Sequence, residues 1–155
     1  MAGHGTLLAV QFGAWIPLAT LLPPEAGAAA PTIPTGAGVF QLRIEQGLLS
    51  YPRGRSAMVA YGAGDDLQAA LTALLRGPIG ERALRLGPLL CRFAIADPHR
   101  TPAEHLVRLH ERFVAQFGSL PLAEVATAAP AEDSAAPAAA SPESADPAAR
   151  RVTAR

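Results

Sequence analysis

One titratable ring stands where an apolar side chain is expected. In TPAEHLVRLHERFVAQF, residues 101–117, Ala103, Leu106, Val107, Phe113, Val114 and Phe117 recur at the spacing of one helix face, and the middle of that stripe falls on His110. An imidazole there could ligate a metal, move a proton, or hold a single hydrogen bond inside a core. Ligation needs partner ligands, and the four histidines, at 4, 99, 105 and 110, are scattered, with His105 expected to point to solvent. The plain alternative is one polar residue on a core-facing stripe, satisfied by a backbone carbonyl. Cys91 is the only cysteine, which excludes an internal disulfide and a Cys-based zinc site. It reads as a buried small side chain in LLCRFAIA. There is no phosphate-binding Gly loop, no zinc ligand spacing and no Ser-His-Asp arrangement that can be placed. All thirteen basic residues are Arg, whose planar fork suits phosphate. Arg43, Arg53, Arg55, Arg92 and Arg100 fall on expected strands and loops and are the candidates for contact with nucleic acid.

The elements that must position these residues have their own signals. Thr101, Pro102 and Glu104 form a capping box ahead of the His110 helix, and Gly118 stops it. VFQLRIE, residues 39–45, alternates: Phe40, Leu42 and Ile44 face one way, Gln41, Arg43 and Glu45 the other, as in a half-buried strand. Gln46 and Gly47 suit a turn, residues 48–51 continue a hairpin, and PRGR, 52–55, reads as a loop. SAMVAYG, 56–62, is a second strand. Asp65 or Asp66 then caps a helix with Leu67, Ala70, Leu71 and Leu74 on one face, ended by Gly77-Pro78. ERALRL suits a short helical piece, LLCRFAIA a third strand, and DPHR a turn. The order is β-β-α-β-α, an α+β arrangement with a small, mostly antiparallel three-stranded sheet and packed helices.

The ends have a different composition. Residues 122–155 are almost entirely Ala, Pro, Ser, Thr, Asp, Glu and Arg, too little apolar surface to offset the entropy of ordering them. They are expected to be a disordered tail beyond a domain spanning residues 35–121. Up to Pro121 there are ten Arg against eight Asp or Glu; the tail has three against five. The domain is therefore mildly basic, compatible with a nucleic-acid surface. Residues 1–34 form an apolar N-terminal segment and an Ala/Pro linker. TLLAVQFGAWIPLATLL, 6–22, has no Lys or Arg before it and contains Gln11, Gly13 and Pro17, unlike a secretory signal or a spanning helix. It is read as a helix or arm that packs on the domain and inserts Trp15. The expectation is a cytoplasmic protein without a membrane partner.

With these elements placed, the chain resembles the GIY-YIG nuclease domain over residues 35–121. GVF, 38–40, is similar to GIY; AYG, 60–62, is similar to YIG; AGDDLQAAL resembles the stretch after YIG; and the His110 helix resembles the one that carries the family's Glu. The resemblance implies metal-assisted phosphodiester cleavage, with a tyrosine orienting water, an Arg stabilising phosphate charge, and a Glu holding Mg²⁺ or Mn²⁺. The equivalent positions here are Phe40, Ala60, Ala70 and His110. They supply no hydroxyl, no cation and no carboxylate. Tyr61 is adjacent to Ala60, but a strand sends it to the opposite face. Glu111 lies about 100° round the helix from His110.

The expectation is accordingly a catalytically impaired GIY-YIG-like domain, without cofactor, that binds DNA or a protein. His110 would then occupy a position that faced the ancestral cleft. One alternative is a divergent, active metal-dependent endonuclease using Tyr51 or Tyr61 with Glu111 and a hairpin Arg. Another is a structural or assembly protein, with the Ala-Pro tail as a tether.

Overall fold

The computed structural model describes residues 10–21 and 33–128. Its centre is β2 (Gly38–Ile44), antiparallel to β5 (Met58–Gly64) on one side and to β6 (Leu89–Ile95) on the other. A two-residue strand, β1 (Ile16–Pro17), adds to the far side of β6, so the order is β1-β6-β2-β5. The sheet is thus four-stranded, not three-stranded. The fourth strand comes from the N-terminal arm, where two residues carry no readable periodicity. Residues 49–56 form a separate hairpin, β3 (Leu49–Tyr51) with β4 (Gly54–Ser56), so part of the expected PRGR loop is strand.

Two layers of helix cover the sheet. On one face Phe40, Leu42, Ile44, Ala60, Cys91 and Phe93 form the main core with Leu18 and Leu21 of α1 (Leu18–Leu21), Leu67 and Leu71 of α2 (Leu67–Arg76) and Ala83 of α3 (Pro78–Arg85). Asp66 caps α2 as its position suggests, its carboxylate accepting from the amides of Gln68 and Ala69. On the other face, Tyr51, Tyr61 and Phe113 pack with Leu106, Leu109 and Phe117 of α4 (Pro102–Phe117). The capping box of Thr101 and Glu104 is formed, and Gly118, with φ of 84°, ends α4 in the left-handed region.

Two expectations are corrected. The first concerns the buried side of α4. Its inward residues are His105, Leu106, Leu109 and Phe113; Ala103, Val107 and Val114 are exposed, and His105 is buried rather than directed to solvent. Apolar residues occupy two flanks of this helix, and the flank with the larger side chains is the one the sheet accepts. The second correction concerns the domain boundary. Residues 122–128 are not tail but a helix, α5 (Leu122–Ala128). Ala123 joins the main core and Pro121 is fully buried. α5 packs on α3 and β5, and its Glu124 meets His110 of α4 from the other layer. The helix therefore runs past the β5 edge of the sheet and joins the two layers there, covering an edge that would otherwise be open. Residues 1–9 and 22–32, parts of the expected N-terminal segment and linker, and residues 129–155, the rest of the tail, lie outside the described residues. No described helix is long and apolar enough to cross a membrane.

Candidate anion-binding site

The sheet face under α4 carries an ordered row of polar side chains. Gln41 stands opposite Tyr61 on β5 and Arg92 on β6, so the three share a face. Arg43 follows two residues along β2 on that face, just past an irregularity between Leu42 and Arg43. Ile16 pairs with Cys91, which places Trp15 beside Arg92.

These neighbours fix the guanidinium groups. Arg92 Nε donates to Gln41 Oε1 at 2.7 Å. The Arg92 guanidinium carbon lies 4.3 Å from the centre of the Trp15 ring and 4.7 Å from that of Phe12; that of Arg43 lies 4.4 Å from Trp15. A guanidinium over an aromatic ring is a favourable cation–π arrangement. The two terminal nitrogens of Arg92 make no hydrogen bond among the described residues. Burial, and then the charge of Arg43, hold the Arg92 pKa below its ordinary value, yet a guanidinium remains charged throughout the physiological range.

Between this row and α4 lies a recess of about 260 Å³, lined among others by Gln41, Tyr61, Arg92, Arg112, Phe113 and Gln116. No carboxylate of the described residues lines it. Gln41 is only 6% exposed, and its amide nitrogen has no partner among the described residues. Burial, and then the nearby Glu124 carboxylate, push the Tyr61 phenol well above its ordinary value. Its hydroxyl stays protonated and can donate. The side chains converging here thus offer hydrogen-bond donors and positive charge, which an oxyanion complements.

The residues singled out in the sequence separate into distinct places. Phe40 and Ala60 are fully buried on the opposite face of the sheet, and Ala70 packs against the same core from α2. The Phe40 ring lies directly over Gly62, its partner on β5. None of these three meets His110. Glu111 is exposed on the outer side of α4, with Glu104 and Arg108, and does not approach Tyr61. Arg53 is a fastening residue: its backbone N–H donates to Phe117 O at 3.0 Å, and its side chain to Ala115 O at 3.2 Å. Those are orphan carbonyls at the end of α4. Arg55 is exposed on β4, and Arg100 sits in the turn before α4, its N–H on Asp97 O. Of the five arginines, only Arg43 and Arg92 come together. Arg112 completes the recess, and reasoning from strands and loops missed it. Its signal is the pair Arg112 and Gln116, four apart on α4, flanking the buried Phe113.

His110 belongs to a neighbouring cluster. Its Nε2 donates to Glu124 Oε1 at 2.6 Å, and its ring packs edge-on against Tyr61 with centres 5.5 Å apart. The partner is a carboxylate from α5, not a backbone carbonyl. Glu124 was hidden by the Ala-rich composition around it, although Pro121 and the apolar Leu122 and Val125 mark a helix start. The Tyr51 hydroxyl donates to Met58 O and accepts from Leu122 N–H, tying the start of α5 to the sheet.

No group of three or more His, Cys, Asp or Glu able to hold a metal ion occurs among the described residues. Glu124 Oε1 is taken by His110, and its Oε2 is buried without a partner among the described residues. The chain matches no protein-family model, no curated protein and no solved structure.

Proposed function

We propose that this is a non-catalytic binding module of GIY-YIG-like descent that holds nucleic acid against the face of Gln41, Arg43 and Arg92. The observation that carries the reading is the recess without acids among the described residues, in which a guanidinium, pinned by Gln41 and set over Trp15, has terminal nitrogens with no partner among those residues. The order β2, β5, α2, β6, α4 supports the descent. The separation of Phe40, Ala60 and Ala70 from His110 counts against a cleft shared by these four positions, so the expected place of His110 in an ancestral cleft is not kept.

The test is fluorescence anisotropy with labelled DNA and RNA. Binding is expected at low salt and should weaken steeply between about 50 and 200 mM. Arg92→Ala and Arg43→Ala should each weaken binding and flatten the salt dependence by roughly one counterion. Failure to retain any DNA or RNA at low salt would move the assignment to a protein-binding module. Plasmid cleavage with Mg²⁺ or Mn²⁺, lost in Glu124→Ala or Glu111→Ala, would restore the endonuclease.

A further inference from the structure

We propose that the recess between the sheet and α4 receives one unpaired nucleotide of a single strand, with its phosphate held between Arg92 and Arg112. This rests on the nucleic-acid reading above and narrows it to one form of ligand.

Size is the first argument. At about 260 Å³ the recess falls just under the roughly 300–1,000 Å³ of pockets that enclose whole small molecules. It has room for a phosphate with part of the attached sugar or base, the rest of the nucleotide lying outside it. Shape is the second. A duplex presents a convex, continuous backbone and keeps its bases stacked inside, whereas this recess is walled on one side by Leu109, Arg112, Phe113 and Gln116 of α4. A single strand can turn one nucleotide out into a concave site, as enzymes acting on bases require of their substrates.

The third argument is chemical. Arg92 and Arg112 supply charge. The Gln41 amide, more than nine-tenths buried, presents an unspent N–H₂ group, and Gln116 adds a second amide that can donate or accept. Phosphate oxygens satisfy the donors, and a base edge can use the second amide. The aromatic residues Tyr61 and Phe113 form the apolar floor.

The experiment uses the full chain and a labelled oligonucleotide, either single-stranded or paired into a blunt duplex of the same length. The emission of Trp15, the only tryptophan, gives a second readout. The single strand should bind at least about tenfold tighter than the duplex, a nucleoside monophosphate should compete, and Trp15 emission should change on binding. Arg112→Ala, at an exposed position on α4, and Gln41→Ala should each weaken single-strand binding about tenfold, as expected for a lost hydrogen bond to a charged group. Arg82→Ala, on the opposite layer, should not. Equal affinity for duplex, with the same dependence on Arg92, overturns the single-strand inference and leaves the binding module standing. Single-strand binding indifferent to both Arg112→Ala and Gln41→Ala also overturns it. Absence of binding to either form removes both proposals together.

Discussion

His110 Nε2 lies 2.6 Å from Glu124 Oε1, across a loop that joins two helices on different sides of the sheet. Glu124 is 5% exposed, while the His110 side chain is 25% exposed. The pair is therefore half-wet on one partner and dry on the other, and Glu124 has more to lose from separation.

Glu124→Ala should lower stability by about 1–3 kcal/mol, the range for losing a hydrogen bond to a buried charged group. Urea unfolding followed by circular dichroism is the measurement. A double-mutant cycle with His110→Ala should show coupling of about 0.5–3 kcal/mol. A lower m-value in Glu124→Ala would indicate that α5 has come off the sheet, since less surface is then left to expose. Strict additivity of the two substitutions would show that the contact contributes nothing of its own.

Phe40→Tyr restores the hydroxyl that the GIY-YIG resemblance asks for, and it should damage the protein. The ring is fully buried over Gly62, so the new hydroxyl enters an apolar core without a partner. A loss of about 1–3 kcal/mol is expected, with no gain of plasmid cleavage. An unchanged thermal midpoint would mean that a polar partner or a water reaches this side of β2.

His105 offers the opposite case. It is buried on α4, and its Nε2 has no hydrogen-bond partner among the described residues. Replacing it with Leu removes that unmet polar atom at similar volume. His105→Leu should leave stability unchanged or raise it by up to about 1 kcal/mol. A clear drop in the urea midpoint would reveal a bond that the imidazole makes.

Burial pushes the Cys91 thiol up from its ordinary value of 9.0 to about 12. A thiolate is thus available in the unfolded chain well before the folded one. The sign follows from that difference: the contribution is fully present below about pH 9 and is lost as pH rises from there toward 12. Stability of the wild type should fall over that window, less so in Cys91→Ala, in urea titrations at stepped pH. Alkylation by iodoacetamide at pH 8 should follow global unfolding. Rapid labelling of the folded protein would contradict the burial.

Some of this architecture was legible in the residues and some was not, for physical reasons. The alternation through Phe40, Gln41, Leu42, Arg43 and Ile44 announced β2 because its two faces differ in chemistry, but the strand is buried on both faces and not half-buried as expected, since α4 covers the polar side. The caps at Asp66 and Thr101 announced α2 and α4 because a side chain must satisfy the free amides of a first turn. β1 left no signal, since two residues cannot show a period, and its place depends on the edge of β6 being open. α5 was masked because Ala123 and Ala126 read as tail composition, and only tertiary packing makes Ala123 a core residue. The candidate site suffered similarly. Arg43 and Arg92 could be picked as exposed cations on strands, but Arg112 and Gln41 gain their meaning only when α4 lies over the sheet. Tyr61 was correctly turned away from Ala60 by strand geometry. What it turned toward, His110 and Glu124, depended on a helix that composition concealed.

β2 presents its odd and even residues to two unrelated environments. Phe40, Leu42 and Ile44 maintain the solid interior, whereas Gln41 and Arg43 meet whatever the protein holds. Ligand preference can therefore be rewritten at Gln41 and Arg43, and at Arg92 and Arg112 beside them, without repacking Phe40, Leu42 or Ile44. For an engineer, that makes this small scaffold a place to exchange one recognition chemistry for another while its larger core stays untouched on the far side of the same strand.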